Sequence, residues 1–195
     1  MGQGLLPCAS VLEPCPEVQV SEQVKKAVVA LKQAVTENPA AARAVFRATT
    51  VSDADSLSTD SSIRGFGVRL DEPADLGGTD TGPNPVEAVL AALGSCQAIV
   101  YRAYANALGL RIDRVEVEAK GYLDLRGFLG DSKYPAGFDR VTFATRVVSP
   151  ESPETIRNLS EVVEAHCPVL DILRTPLAVS GSLEHVRSSD ARDAA

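Results

Sequence analysis

The chain has 195 residues, with 19 Lys and Arg against 26 Asp and Glu and a formal net charge of -7. Hydrophobic residues make up 45% and charged residues 23%, with 14 Gly and 12 Pro, which excludes a disordered chain, a collagen and a coiled coil. The acidic balance, the lack of a Lys/Arg cluster and the few aromatics (no Trp, four Tyr, five Phe) argue against a nucleic-acid partner. Apolar runs fall short of the roughly 20 residues that a membrane helix needs, so no membrane partner is expected.

Residues 1–20 carry three prolines among them and little periodicity, and are expected to be an irregular arm. Ser21 reads as a helix cap. Val24, Val28, Leu31 and Val35 then recur at three and four, giving a helix over 21–38 with one apolar stripe, ended by Asn38-Pro39. That stripe is expected to pack on the main body or on a dimer mate. Arg43 to about Ser52 reads as a strand and Asp53 to Asp60 as a turn. Ile63, Phe66, Val68 and Leu70 mark a second strand hairpinned to the first. Asp71 to Pro83, with Gly77, Gly78 and Gly82, is a loop that has neither GxGxxG nor a Walker lysine.

Asn84-Pro85 is a strong helix start, and Gly109 supplies the stop. The helix between them carries Leu93, Cys96 and Val100 on one broad face. Ala91, Ala92, Gly94, Ser95 and Ala98 make its middle small, as expected of a central, buried helix. Strands follow at Val115–Leu123 and Val141–Val147, around a Gly-rich turn over 126–138. Pro150 breaks the second strand. Ser152-Pro153 opens another long helix that stops near Ala165, and Cys167-Pro168 opens a short one. Leu177, Val179 and Leu183 read as a last strand, before a polar tail over 187–195. Hairpin-joined strands and two long apolar helices together predict an α+β fold.

Four cysteines, Cys8, Cys15, Cys96 and Cys167, are too sparse for a disulfide scaffold. MGQGLLPCAS lacks the basic flank and apolar core of a secretion signal. A soluble, cytoplasmic protein of a reducing compartment is expected. Cys8 and Cys15 read as incidental. On physical grounds Cys167 is the more activated sulfur, because it sits at the positive end of a helix and follows His166, whereas Cys96 on a plain helix is more often an inert core cysteine. If both turn inward they can form a reversible disulfide and reduce a peroxide. The attacking thiolate then needs a cation, for which Arg43, Arg47 and Arg64 are candidates, and a carboxylate such as Glu87 to orient it. A metal site is not expected, since His166 beside Cys167 has little else near it to complete a zinc shell. A serine hydrolase is not expected either, because no GxSxG occurs.

Asp71-Glu72-Pro73, Leu76-Gly77-Gly78 and Gly82-Pro83-Asn84-Pro85-Val86-Glu87, running on to Leu93-Gly94-Ser95-Cys96, resemble the OsmC/Ohr family. His166-Cys167-Pro168-Val169 resembles it late in the chain, and together the likeness spans roughly residues 43–185. The resemblance implies an OsmC-like domain over 39–186, with curved, antiparallel-rich sheets packed on two long central helices. It also implies an intertwined homodimer with two active sites at its interface. Cys96 matches the family's peroxide-attacking cysteine and Cys167 its resolving cysteine, the reverse of the physical ranking. The implied activity is a thiol-dependent peroxidase that reduces organic hydroperoxides and is reset by an external dithiol, lipoyl-type or a small thiol, with no bound cofactor. Val86 stands where the family carries its site glutamate, and Glu87 follows one residue later, turned by about 100° on a helix. Arg47 and Arg64 are the positions open to the family's arginine. A non-catalytic protein that binds a small ligand and a single-thiolate enzyme using Cys167 are the alternatives.

Overall fold

A computed structural model describes residues 20–52 and 54–187. All of the expected arm but Val20, with Cys8 and Cys15, and all of the tail but its first residue lie outside the described residues.

Helix α1 spans Val20–Glu37, one residue ahead of the expected cap. Asn38 ends it and starts a 3-10 turn over Pro39–Ala42, its side-chain oxygen accepting the Ala40 N–H at 3.1 Å. Strands β1 (Thr49–Ser52), β2 (Thr59–Ile63) and β3 (Phe66–Leu70) form an antiparallel sheet in that order. This corrects the sequence reading in three ways. Residues 43–48 are irregular, so the first strand is shorter than Arg43–Ser52. Thr59 and Asp60 belong to a strand rather than to a turn. The run Ile63–Leu70 is two strands, because the chain reverses at Arg64-Gly65, where φ is 52° and 88°. Left-handed geometry at both central residues is what a two-residue hairpin needs, and glycine supplies half of it without strain.

Helix α2 spans Pro85–Leu108, as expected. Asn84 and Glu87 close a capping box at its start, and Gly109, with φ 71°, ends it. Strands β4 (Arg114–Leu123) and β5 (Phe138–Val148) form a second antiparallel sheet, with Val117 opposite Thr145. Between them the expected Gly-rich turn contains a short helix, α3 (Leu125–Phe128), capped by Asp124. Helices α4 (Pro153–His166) and α5 (Pro168–Arg174) follow. The segment 177–183 is not a strand: among the described residues no strand pairs with it, and Leu177, Val179 and Leu183 are exposed.

α2 packs on β4, α4 and α5. Two apolar clusters result. Tyr101, Ala105, Ile112, Leu159 and Val163 form one, and Leu93, Cys167 and Leu170 the other. Each fully buried Leu or Val in them contributes on the order of 1.5–3 kcal/mol. By length and composition α2 is long and apolar enough to cross a membrane, which corrects the expectation from the apolar runs. Its small residues raise its mean hydropathy, yet this helix holds the domain together. The first sheet differs, since nearly all of β1, β2 and β3 is exposed, Val51, Phe66 and Val68 included.

Candidate active site

The site begins with the start of α2. Asp71 follows β3 and is 1% exposed. One of its oxygens takes the N–H groups of Thr79 and Thr81, at 3.2 and 3.0 Å, and both their hydroxyls, at 2.6 and 2.9 Å. The other takes the Glu72 N–H at 2.8 Å. These donors, the Thr79 hydroxyl first, hold the Asp71 carboxyl well below the usual carboxylate range. The loop folds so tightly around this carboxylate that a Cβ on Gly78 would overlap the Glu72 carbonyl. It delivers Asn84 to the first turn of α2.

Further along α2, the Tyr101 hydroxyl donates to Ser160 Oγ of α4 at 2.8 Å. Two turns earlier Leu93 packs against Cys167, which lies between α4 and α5. The two helices therefore run antiparallel, and Cys96, one turn after Leu93, joins the same cluster. Cys96 packs against the cluster that holds Cys167, and both thiols are free. Fold and packing thus bring together the two cysteines singled out from the sequence.

Their states differ from the physical expectation. Cys167 is 1% exposed and Cys96 half-buried. Burial pushes the Cys167 thiol up from its ordinary value, and the Cys96 side chain adds to the rise. The Leu170 and Val169 N–H groups pull the other way and are outweighed. α5 has only seven residues, too few for its aligned amides to overcome the loss of water. Burial thus disfavours the Cys167 thiolate, against the expectation from its place at a helix start.

The supporting residues are placed elsewhere in the protomer. Glu87 Oε2 accepts the Asn84 N–H at 2.8 Å in the capping box, roughly 13 Å along the helix from Cys96. Arg47 lies in the exposed segment before β1. Arg64 occupies the hairpin turn, its guanidinium 5.7 Å from the Phe66 ring centre. His166 Nδ1 is bonded to the Val162 carbonyl at 2.8 Å, and its ring lies 5.2 Å from that of Tyr104. Among the described residues no hydrogen bond or ion pair joins Glu87, Arg43, Arg47 or Arg64 to either sulfur.

An open groove of about 440 Å³ runs along the opposite side of α2, lined by Leu90, Ala91, Gly94, Ser95, Ala98, Val117 and Ala119. Neither cysteine lines it. Sequence reading missed two buried polar residues here: Asp71, quoted only as part of a motif, and Gln97, which is 0% exposed. The signal for Gln97 was its place four residues from both Leu93 and Tyr101, a polar residue on an otherwise apolar stripe.

The family model for OsmC-like proteins matches residues 78–180, more than half of the chain and including both cysteines. The chain belongs to the OsmC-like family. Among solved structures, an OsmC-like protein from Mycoplasma pneumoniae is 22% identical, with a TM-score of 0.59 over 67% of this chain and 88% of that one. An OsmC-like protein of unknown function from Vibrio cholerae is 16% identical, with a TM-score of 0.56 over 66% and 93%. An organic hydroperoxide resistance protein from Legionella pneumophila is 17% identical, with a TM-score of 0.52 over 68% and 92%. At such identities the likeness establishes the fold: this OsmC-like chain shares the α+β architecture of these proteins. No curated protein matches the chain significantly.

Proposed function

We propose that this OsmC-like protein is a thiol-dependent peroxidase that reduces organic hydroperoxides through Cys96 and Cys167. The observation that carries the reading is the meeting of the two free thiols in one apolar cluster. Cys96 is the more accessible sulfur and is the one an incoming peroxide reaches. Its thiolate attacks the distal oxygen of ROOH, the O–O bond breaks, and the alkoxide leaves with a proton as ROH. Cys96 becomes a sulfenic acid. Cys167 then attacks the Cys96 sulfur, hydroxide departs as water with the Cys167 proton, and a disulfide closes. Two electrons have passed from the two thiols to the peroxide. An external dithiol, lipoyl-type or small, resets the pair by exchange, as a reducing cytoplasm would supply. The low pKa that the Cys167-only alternative requires is opposed by that sulfur's burial.

The working unit in this reading is a homodimer. Supporting it are the uncovered apolar side chains of the first sheet and of the segments on either side of the domain, including Phe46 at 88% and Val179 at 85% exposed. A sheet needs its apolar face covered, and the described residues of the protomer leave it exposed. The expected arginine would then come to Cys96 through this assembly, from Arg47 or Arg64.

Free-thiol counting during exposure to cumene hydroperoxide, with and without a dithiol, tests the reading. Wild-type protein is expected to lose the Cys96 and Cys167 thiols together. Cys96→Ser should lose all peroxide reduction. Cys167→Ser should give one round of oxidation at Cys96 and then stop. Unchanged thiols in the wild type would sink the proposal.

A further inference from the structure

Among the described residues, two buried polar side chains have no hydrogen-bond partner. Both the Nε2 and Oε1 atoms of Gln97 and the hydroxyl of Thr145 are buried without a hydrogen bond, and they are the only such side-chain atoms among the described residues. Gln97 lies on α2 between Leu93, which packs on Cys167, and Tyr101, which bonds Ser160. In the antiparallel register of α2 and α4 this places it about one turn from Cys167. Thr145 lies on β5 between Phe143, of the cysteine cluster, and Val147, of the other. Each residue lies along its own element between members of the two apolar clusters.

Leaving a carboxamide unsatisfied in a core is costly, and an apolar side chain of the same size would avoid the cost. Helical side chains lean toward the helix N-terminus, so the Gln97 carboxamide leans over the Leu93 turn that carries Cys167. Cys167 must move its proton off a buried sulfur when the disulfide closes. The amide donors of Gln97 are uncommitted at rest and lie about one turn from Cys167 in the register of α2 and α4.

We infer that Gln97 is a positioning residue for disulfide closure, its side-chain N–H donating to the Cys167 sulfur as that sulfur attacks oxidised Cys96. The inference rests on the peroxidase reading. Gln97 takes up no proton and forms no bond in the step: the Cys167 proton leaves with the hydroxide released from Cys96, as water. It acts on the second step alone, because the first occurs at Cys96.

The test separates the two steps. Full-length wild type, Gln97→Met and, as a second apolar replacement, Gln97→Leu are oxidised with one equivalent of cumene hydroperoxide. Sulfenic acid at Cys96 is trapped with dimedone, and loss of the Cys167 thiol is followed by alkylation and mass spectrometry. Unfolding temperatures are measured in parallel, with Thr145→Val as a control. Both Gln97 variants should form the sulfenic acid at the wild-type rate, close the disulfide roughly tenfold more slowly, and unfold no lower than the wild type. Thr145→Val should close normally. Closure at the wild-type rate in both Gln97 variants would overturn the inference and leave the peroxidase reading intact. So would a lower unfolding temperature in both, which would mark the amide as a structural hydrogen bonder. A wild type that forms sulfenic acid and disulfide in neither step would overturn the peroxidase reading, and the inference with it.

Discussion

The Tyr101 hydroxyl donates to Ser160 Oγ at 2.8 Å, and this bond sets the register in which α2 meets α4. The ring is 2% exposed, and burial, more than the Ser160 bond offsets, pushes the phenol above its ordinary range. Tyr101→Phe keeps the packing and leaves Ser160 without this donor. A loss of about 1 kcal/mol in denaturant unfolding is expected. Disulfide closure should slow as well if the register is what aligns Leu93 with Cys167.

Asp71 pins the loop that starts α2. Its folded pKa is depressed by the Thr79, Thr81 and Glu72 donors. The stabilisation is therefore present above the unfolded value of about 3.9 and is lost as pH falls through the folded one. Thermal unfolding followed from pH 6 downward should show a fall in wild type that Asp71→Asn lacks. At neutral pH the variant should melt several degrees lower, because an amide cannot accept from five donors. Equal melting at pH 7 would refute this role.

Cys167 carries the opposite sign. Burial and the neighbouring Cys96 raise its folded pKa. Its contribution is complete below the unfolded value of about 8.5 and disappears as pH rises through the folded value. Under reducing conditions the wild type should lose stability above pH 8.5 more steeply than Cys167→Ala, which has nothing there to ionise. Parallel pH profiles would contradict a buried, protonated thiol.

Ile99 stands on α2 with 67% of its surface exposed, beside a helix face of small residues. If a second copy covers α2 and the first sheet, Ile99→Glu should lower the sedimentation coefficient from that of a dimer to that of a monomer. The variant should retain its helix content, since the side chain is mostly exposed in the protomer. A wild type that sediments as a monomer would end the dimer proposal.

The elements legible in advance were those with local signals. Asn84-Pro85 and Ser152-Pro153 opened their helices because a capping oxygen and a ring-fixed φ act within four residues. β4 and β5 were visible through alternation. The hairpin at Arg64-Gly65 was not, because its strands have no buried face in the protomer to impose a pattern. Leu177–Leu183 alternates like a strand, yet a strand exists only where another chain segment pairs with it.

The sequence by itself determined the family, the two cysteines and the helices that carry them, since these depend on short-range chemistry and on motifs that keep their order. Tertiary structure decided that both cysteines pack in one apolar cluster, that burial pushes the Cys167 thiol up, and that Glu87 serves its helix cap. It also placed Gln97 in the core with nothing to bond. Each of these depends on which distant residues exclude water or supply donors at a given atom, and the spacing of residues along a chain does not specify that.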